Sequence, residues 1–258
     1  VSLNILGMIG LSCYILADTF FISKALGANG ITALNFSISI YSLIHGAGLM
    51  IGIGGAGKFA ILRSKNDSKN ANKVYSMSIK LGIVVGLAFL LIGLLFTEKI
   101  GMVLGADEVT LPLTKTYLQT ILTFAPFFIL NNIVLAFVRN DNNPNLSMIA
   151  MLLGSFSNII LDYVFMFPLG MGMFGAAFAT GLAPIISLSV LSIHFIKKKN
   201  KFNYVKTKLK KNYTFEILGI GLSSFITEVS SAVALITFNL VILKIEGSLL
   251  LRMGCLTI

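Results

Sequence analysis

Between residues 142 and 196 the chain runs for fifty-five residues with a single formal charge, Asp162. A spanning helix needs about 20 apolar residues, at 1.5 Å each, to cross roughly 30 Å of hydrocarbon. The stretch is therefore long enough for two. Pro168, Gly170 and Gly172 supply the break, which divides it at Phe167 and Gly172. The same test finds five further spans: 1–22, interrupted only by Asp18; one within the uncharged window 25–57; one near 76–96; one near 116–138; and one over about 215–243, which contains Glu228. Hydrophobic residues make up 56% of the 258-residue chain and charged residues 12%, about half the charge of a soluble domain. These figures exclude an ordinary soluble enzyme and a disordered chain. The expected fold is an all-α membrane protein, a polytopic helical bundle.

The net charge of +10 follows the connections between spans. Six Lys or Arg lie between Lys58 and Lys80, one is Arg139, and eight lie between Lys197 and Lys211. The opposite connections hold only Lys24, Lys99 and Lys115. Fifteen against three places the N-terminus in the cytoplasm, because basic residues collect on the cytoplasmic side. The charge is thus a topology signal and not a nucleic-acid surface. The basic stretch also divides the chain into a six-helix bundle at 1–196, a solvated cytoplasmic linker at 197–214, and a seventh helix with a tail at 215–258. The run 1–22 is too long and continuous for a signal peptide, and is expected to be a spanning helix that has lost its natural start. Cys13 and Cys255 define no disulfide framework, and neither a CxxC nor a Cys/His cluster is present. GIGGAG at 52–57 lacks the GxxxxGK[ST] pattern of a phosphate loop and is expected to allow close helix contact or a bend.

An ionisable group within hydrocarbon costs at least about 2.5–3.5 kcal/mol, so each one calls for a reason. Asp18, Asp162 and Glu228 qualify, and none has a basic residue in its own helix core. Such carboxylates are expected to be protonated, or to hold a cation from solution. Asn158 lies four residues before Asp162, so both project from one helix face. An amide carbonyl beside a carboxylate offers the hard oxygens an alkali cation prefers, and Thr180 could add a hydroxyl. Asn158 and Thr180 also suit simple interhelical hydrogen bonding. His45 and His194 read as hydrogen-bonded structural residues before proton relays.

LADTFFISKALGANGITALN at 16–35, GLMIGIGGAGKFAILRSK at 48–65 and SNIILDYVFMFPLGMGMFGAAFAT at 157–180 resemble the multidrug and toxic compound extrusion (MATE) transporters, most of all their bacterial DinF-like and clostridial-type branches. The resemblance covers about residues 1–247. It implies twelve helices in two six-helix lobes around a central cavity, with export of organic cations and other amphipathic compounds in exchange for protons or sodium ions. It also implies a cation site at Asp18, Asn158, Asp162 and Thr180, with Glu228 as a coupling residue of the second lobe. No enzymatic activity and no cofactor beyond the coupling ion are implied. The implied partners are the lipid bilayer and small-molecule substrates, in the cell membrane.

Three departures from the family pattern stand out. Only seven of twelve helices are present, so a complete transporter would need the missing C-lobe. The usual Pro of the first helix is absent, and Ser39 stands where another is common early in the second. The ending EGSLLLRMGCLTI resembles nothing in that region of the family, and a truncated or frameshifted product is expected. Two alternatives follow from the residues: a non-transporting structural half-protein, or an intramembrane hydrolase pairing His45 or His194 with a buried Ser, although no GxSxG occurs.

Overall fold

A computed structural model describes the backbone of residues 2–198, 200–209 and 211–255, and the side chains at 14, 16–198, 200–209, 211–234, 236, 237 and 241. Val1, the side chains of Cys13 and Cys255 and those of the tail 246–258 lie outside the described residues. Seven helices and no strand occur among the described residues: α1 (Ser2–Ser64), α2 (Ser68–Val103), α3 (Leu111–Thr123), α4 (Ala125–Asn140), α5 (Pro144–Met166), α6 (Gly172–Ile196) and α7 (Lys211–Cys255). The expected all-α bundle of apolar spans is the observed fold.

α1 contains 63 residues, about 95 Å of helix at 1.5 Å per residue, three times the hydrocarbon thickness. It is two arms joined at Gly27, whose φ of 64° and ψ of −153° are not helical. A side chain would be strained at this positive φ, and glycine adopts it freely. The first two expected spans are these arms, with the break at Gly27 rather than at 23–24. The expected fourth span is also divided. α3 and α4 meet at Phe124 and bend by 48°, because Pro126 lacks an N–H and its ring collides with the carbonyl four residues back. Helices α2, α5, α6 and α7 are each long and apolar enough to cross a membrane. The break between α5 and α6 falls where Pro168, Gly170 and Gly172 were expected to place it.

The core lies where α1 meets α4, α5 and α2, with α3 and α6 closing the far side. Ile44, Ile51, Ile121, Ile129, Ile133 and Phe137 are fully buried there. The outer face of α2 exposes Val84, Leu87, Leu91, Leu94 and Leu95, an apolar stripe that suits lipid. α7 crosses the second arm of α1 at two glycines. A Cβ on Gly54 would collide with the Ile217 carbonyl, and one on Gly221 with the Met50 carbonyl. GIGGAG therefore serves the close contact expected of it. Lys58 Nζ meets Glu216 Oε2 at 2.6 Å beside this crossing.

The segment between α6 and α7 is not a solvated linker throughout. Phe202 is fully buried, with ring centroids 4.5 Å from Tyr75, 5.4 Å from Phe195 and 5.6 Å from Phe137. The Val205 N–H donates to Ser76 Oγ at 2.8 Å, and the Asn203 N–H to Asn72 Oδ1 at 3.0 Å. Lys80 Nζ donates to the Thr207 carbonyl. Lys197, Lys198, Lys201, Lys206, Lys208 and Lys211 are exposed while one aromatic ring and the backbone dock, a division that the charge count alone could not show.

Candidate functional site

Asn158 and Asp162 stand one turn apart on α5, and both are fully buried. Thr180 on α6 lies opposite. In one orientation of its amide, Asn158 Nδ2 donates to Thr180 Oγ1 at 3.3 Å. Turned over, Nδ2 donates to Asp162 Oδ2 at 3.2 Å and Oδ1 accepts from the Thr180 N–H at 3.1 Å. The second orientation satisfies both ends of the amide and pairs a donor with the carboxylate. Asp162 Oδ1 has no partner among the described residues, although a buried carboxylate oxygen ordinarily finds one. Pro184, one turn beyond Thr180 inside α6, supplies no N–H to the Thr180 carbonyl. That carbonyl is a further oxygen which the sequence reading missed, and the i+4 proline was its visible signal.

Asp18, on the first arm of α1, is 5% exposed. Tyr117 on α3 donates to its Oδ2 at 3.5 Å, while Oδ1 is without a partner among the described residues. No hydrogen bond joins Asp18 to Asn158 or Asp162. Thr180 connects them: it lines a cavity of about 180 Å³ with Asp18 and Tyr117, and a neighbouring one of about 370 Å³ with Asn158. Two carboxylates, an amide, a hydroxyl and a freed carbonyl form a hard-oxygen set, the kind that suits an alkali cation or a proton.

Tyr14, Tyr41, His45 and Glu228 line both cavities with Thr180. The Tyr14 and Tyr41 hydroxyls are 3.4 Å apart. Tyr41 stacks on His45 with centroids 5.8 Å apart and planes at 17°. Glu228, on α7, lines the smaller cavity with Asp18 and has a histidine beside it. Its Oε1 lies 3.6 Å from His45 Nδ1. Sequence reasoning missed this pair because the two residues come from opposite ends of the chain. Tyr117 and Tyr41 were missed for the same reason.

His194 is 2% exposed, with Nε2 at 2.9 Å from Asp141 Oδ2 and Nδ1 at 3.2 Å from Asn143 Nδ2. Asn143 Oδ1 accepts from the Leu146 N–H at 3.3 Å, so its Nδ2 faces the ring as donor. Nδ1 then accepts, and the proton toward Asp141 sits on Nε2. Asp141 Oδ2 also accepts from the Lys201 N–H at 2.7 Å. These bonds tie α6, the end of α4 and the docked segment together. Neither histidine is hydrogen-bonded to a serine among the described residues, which leaves the hydrolase alternative without a nucleophile–base pair.

The MatE family profile matches residues 4–164. The multidrug export protein MepA of Staphylococcus aureus (strain MRSA252) is 30% identical over 229 residues, covering 88% of this chain and 51% of MepA. MepA of Staphylococcus saprophyticus is 30% identical over 231 residues, with the same coverage. Among solved structures, a MOP superfamily transporter from Pyrococcus furiosus superposes with a TM-score of 0.81 at 27% identity, covering 89% of this chain and 51% of that one. The chain spans about half the length of these relatives. With more than half its residues inside the family profile and the transporter fold beneath them, the chain belongs to the MatE family.

Proposed function

We propose that this chain supplies the first lobe, and the opening helix of the second, of a multidrug exporter that works by cation-coupled antiport. The observation that carries the reading is the buried Asn158–Asp162–Thr180 cluster, with an unpartnered carboxylate oxygen beside a 370 Å³ cavity. A proton or sodium ion neutralises Asp162 and, with Asp18, forms the coupling site. When Asp162 is bare, the Asn158 amide turns its N–H₂ toward it. When a cation sits there, the carbonyl turns in and the N–H₂ returns to Thr180 Oγ1. The exchange changes which polar groups α5 and α6 present at the cavity wall, so cation and exported compound favour different states of the lobe. That differential affinity drives the cycle. Glu228, held by His45, lies where α7 joins the cavity and attracts the positive end of an organic cation.

Residues 1–196 form the six-helix lobe in this reading, 197–214 the linker and 215–258 the start of the second lobe, whose remainder completes the transporter. The MepA relatives are multidrug export proteins by name, which supports drug-like small molecules as cargo, and the Glu228 carboxylate at the cavity favours cationic ones. The excess of basic residues at 58–80, 139 and 197–211 supports a cell-membrane protein with its N-terminus in the cytoplasm.

The test is efflux of a fluorescent organic cation from energised vesicles carrying a full-length form. Asp162→Asn is expected to reduce gradient-driven efflux at least about tenfold, because the amide binds neither proton nor sodium in that role. Undiminished coupled efflux would sink the assignment.

A further inference from the structure

The segment after α6 is pitched toward the plane at which α2 enters the hydrocarbon. Lys80 and Glu98 are eighteen positions apart on α2, and no charged residue lies between them. At 1.5 Å per residue that is about 27 Å, close to the roughly 30 Å of the hydrocarbon layer. Lys80 therefore marks one face of the layer, and the turns of α2 before it stand outside. The segment follows these turns inward. The Asn203 N–H bonds to Asn72, the Val205 N–H to Ser76, and the Thr207 carbonyl accepts from Lys80. Two residues of extended chain, about 6.6 Å, keep step with four residues of helix, about 6 Å. Val205 and Thr207 are half-buried, while Tyr204, Lys206 and Lys208 are exposed, as the period of two in extended chain requires. Leu209, Lys211 and Phe215 continue the exposed surface, with Lys211 Nζ 5.9 Å from the centre of the Phe215 ring.

The acidic groups at this end of the bundle are engaged elsewhere. Asp67 accepts from Asn70, Asp141 from His194, and Glu216 meets Lys58. No ion pair involves Lys206, Lys208 or Lys211 among the described residues. Cations interleaved with Tyr204, Leu209 and Phe215 at the edge of the hydrocarbon suit an anion that carries its own apolar tails. We propose that Lys206, Lys208 and Lys211, presented by the docked segment, form a headgroup site for an anionic phospholipid. Its phosphate lies on the ammonium groups and its acyl chains run along Leu209 and Phe215. The site stands on the membrane-spanning fold and is independent of the coupling at Asp162. Depth distinguishes it from a mere count of charges. Lys65 and Lys69 are exposed too, but Lys69 precedes Lys80 by eleven residues of α2. That sets it about 16 Å further out, roughly two Debye lengths in physiological salt.

The test is native mass spectrometry of the detergent-purified chain, titrated with dioleoyl phosphatidylglycerol or dioleoyl phosphatidylcholine. The wild type is expected to hold the anionic lipid at least about tenfold tighter, and inorganic phosphate at constant ionic strength is expected not to displace it. Lys206→Gln combined with Lys208→Gln is expected to reduce the preference to less than about threefold. Lys65→Gln combined with Lys69→Gln, an equal loss of charge, is expected to change it less than about twofold. Ser76→Ala removes the acceptor of the Val205 N–H without altering any charge. It is expected to weaken phosphatidylglycerol about threefold and leave phosphatidylcholine unaffected. Equal affinity of the wild type for both lipids, or displacement of the lipid by phosphate, overturns the site. Equal losses from the two double variants, or an unchanged preference in Ser76→Ala, overturn it as well, because net charge rather than the docked segment would then attract the lipid.

Discussion

With both ring nitrogens bonded and the side chain sealed from solvent, His194 holds Asp141 and Asn143 at the end of α4 and the start of α5. His194→Ala would leave the Asp141 carboxylate buried with only the Lys201 N–H. Breaking a buried pair from one side is expected to cost about 3 kcal/mol, read as a lower thermal unfolding midpoint of the purified chain. An unchanged midpoint would show that water replaces the ring. At this scale the sequence was legible wherever partners share a helix. The four-residue interval between Asn158 and Asp162 was enough to put them on one face, and the Pro184 signal for the Thr180 carbonyl sits at the same interval. It was illegible where partners come from distant segments, as with Tyr117 and Asp18 or His45 and Glu228. Hydrophobic cost identifies a carboxylate that needs company without naming the companion. Asp141 was passed over because it sits at the edge of a span, where a charge ordinarily reaches water.

At the scale of elements, the spans followed from length and apolarity, because the bilayer fixes both. Their ends were less certain. Positive φ at Gly27 and the missing N–H of Pro126 set the two breaks, and each was visible only as a residue type. The segment after α6 is the clearest departure. Eight lysines between 197 and 211 read as solvent, yet Phe202 inserts between Tyr75, Phe137 and Phe195. A single aromatic in a charged run gives too little periodicity to reveal which way it points. Phe202→Ala empties that position at an expected cost of about 3–5 kcal/mol. The docked segment should then open, and trypsin should cut at Lys206 and Lys208 several times faster than in the wild type. Equal rates of cleavage would mean that the backbone bonds to Ser76 and Asn72 hold the segment without the ring.

For the whole molecule, the chain spans about half of its MepA relatives, and its two cavities are bounded by α1, α3, α4, α5, α6 and Glu228 of α7. A buried oxygen cluster adjoins the larger cavity, and Asn158 and Thr180 belong to both. In the proposed antiport, coupling between cation and cargo would run within this chain. By linkage, a cation that weakens cargo must itself be weakened by cargo to the same degree. The central claim is that this exchange runs through Asp162. It is tested most directly by the affinity of the chain in nanodiscs for rhodamine 6G, titrated across pH and sodium concentration. Wild type is expected to lose affinity by about fivefold to a hundredfold as protons or sodium rise, and Asp162→Asn to hold one affinity throughout. The same cation dependence in both proteins would contradict the claim.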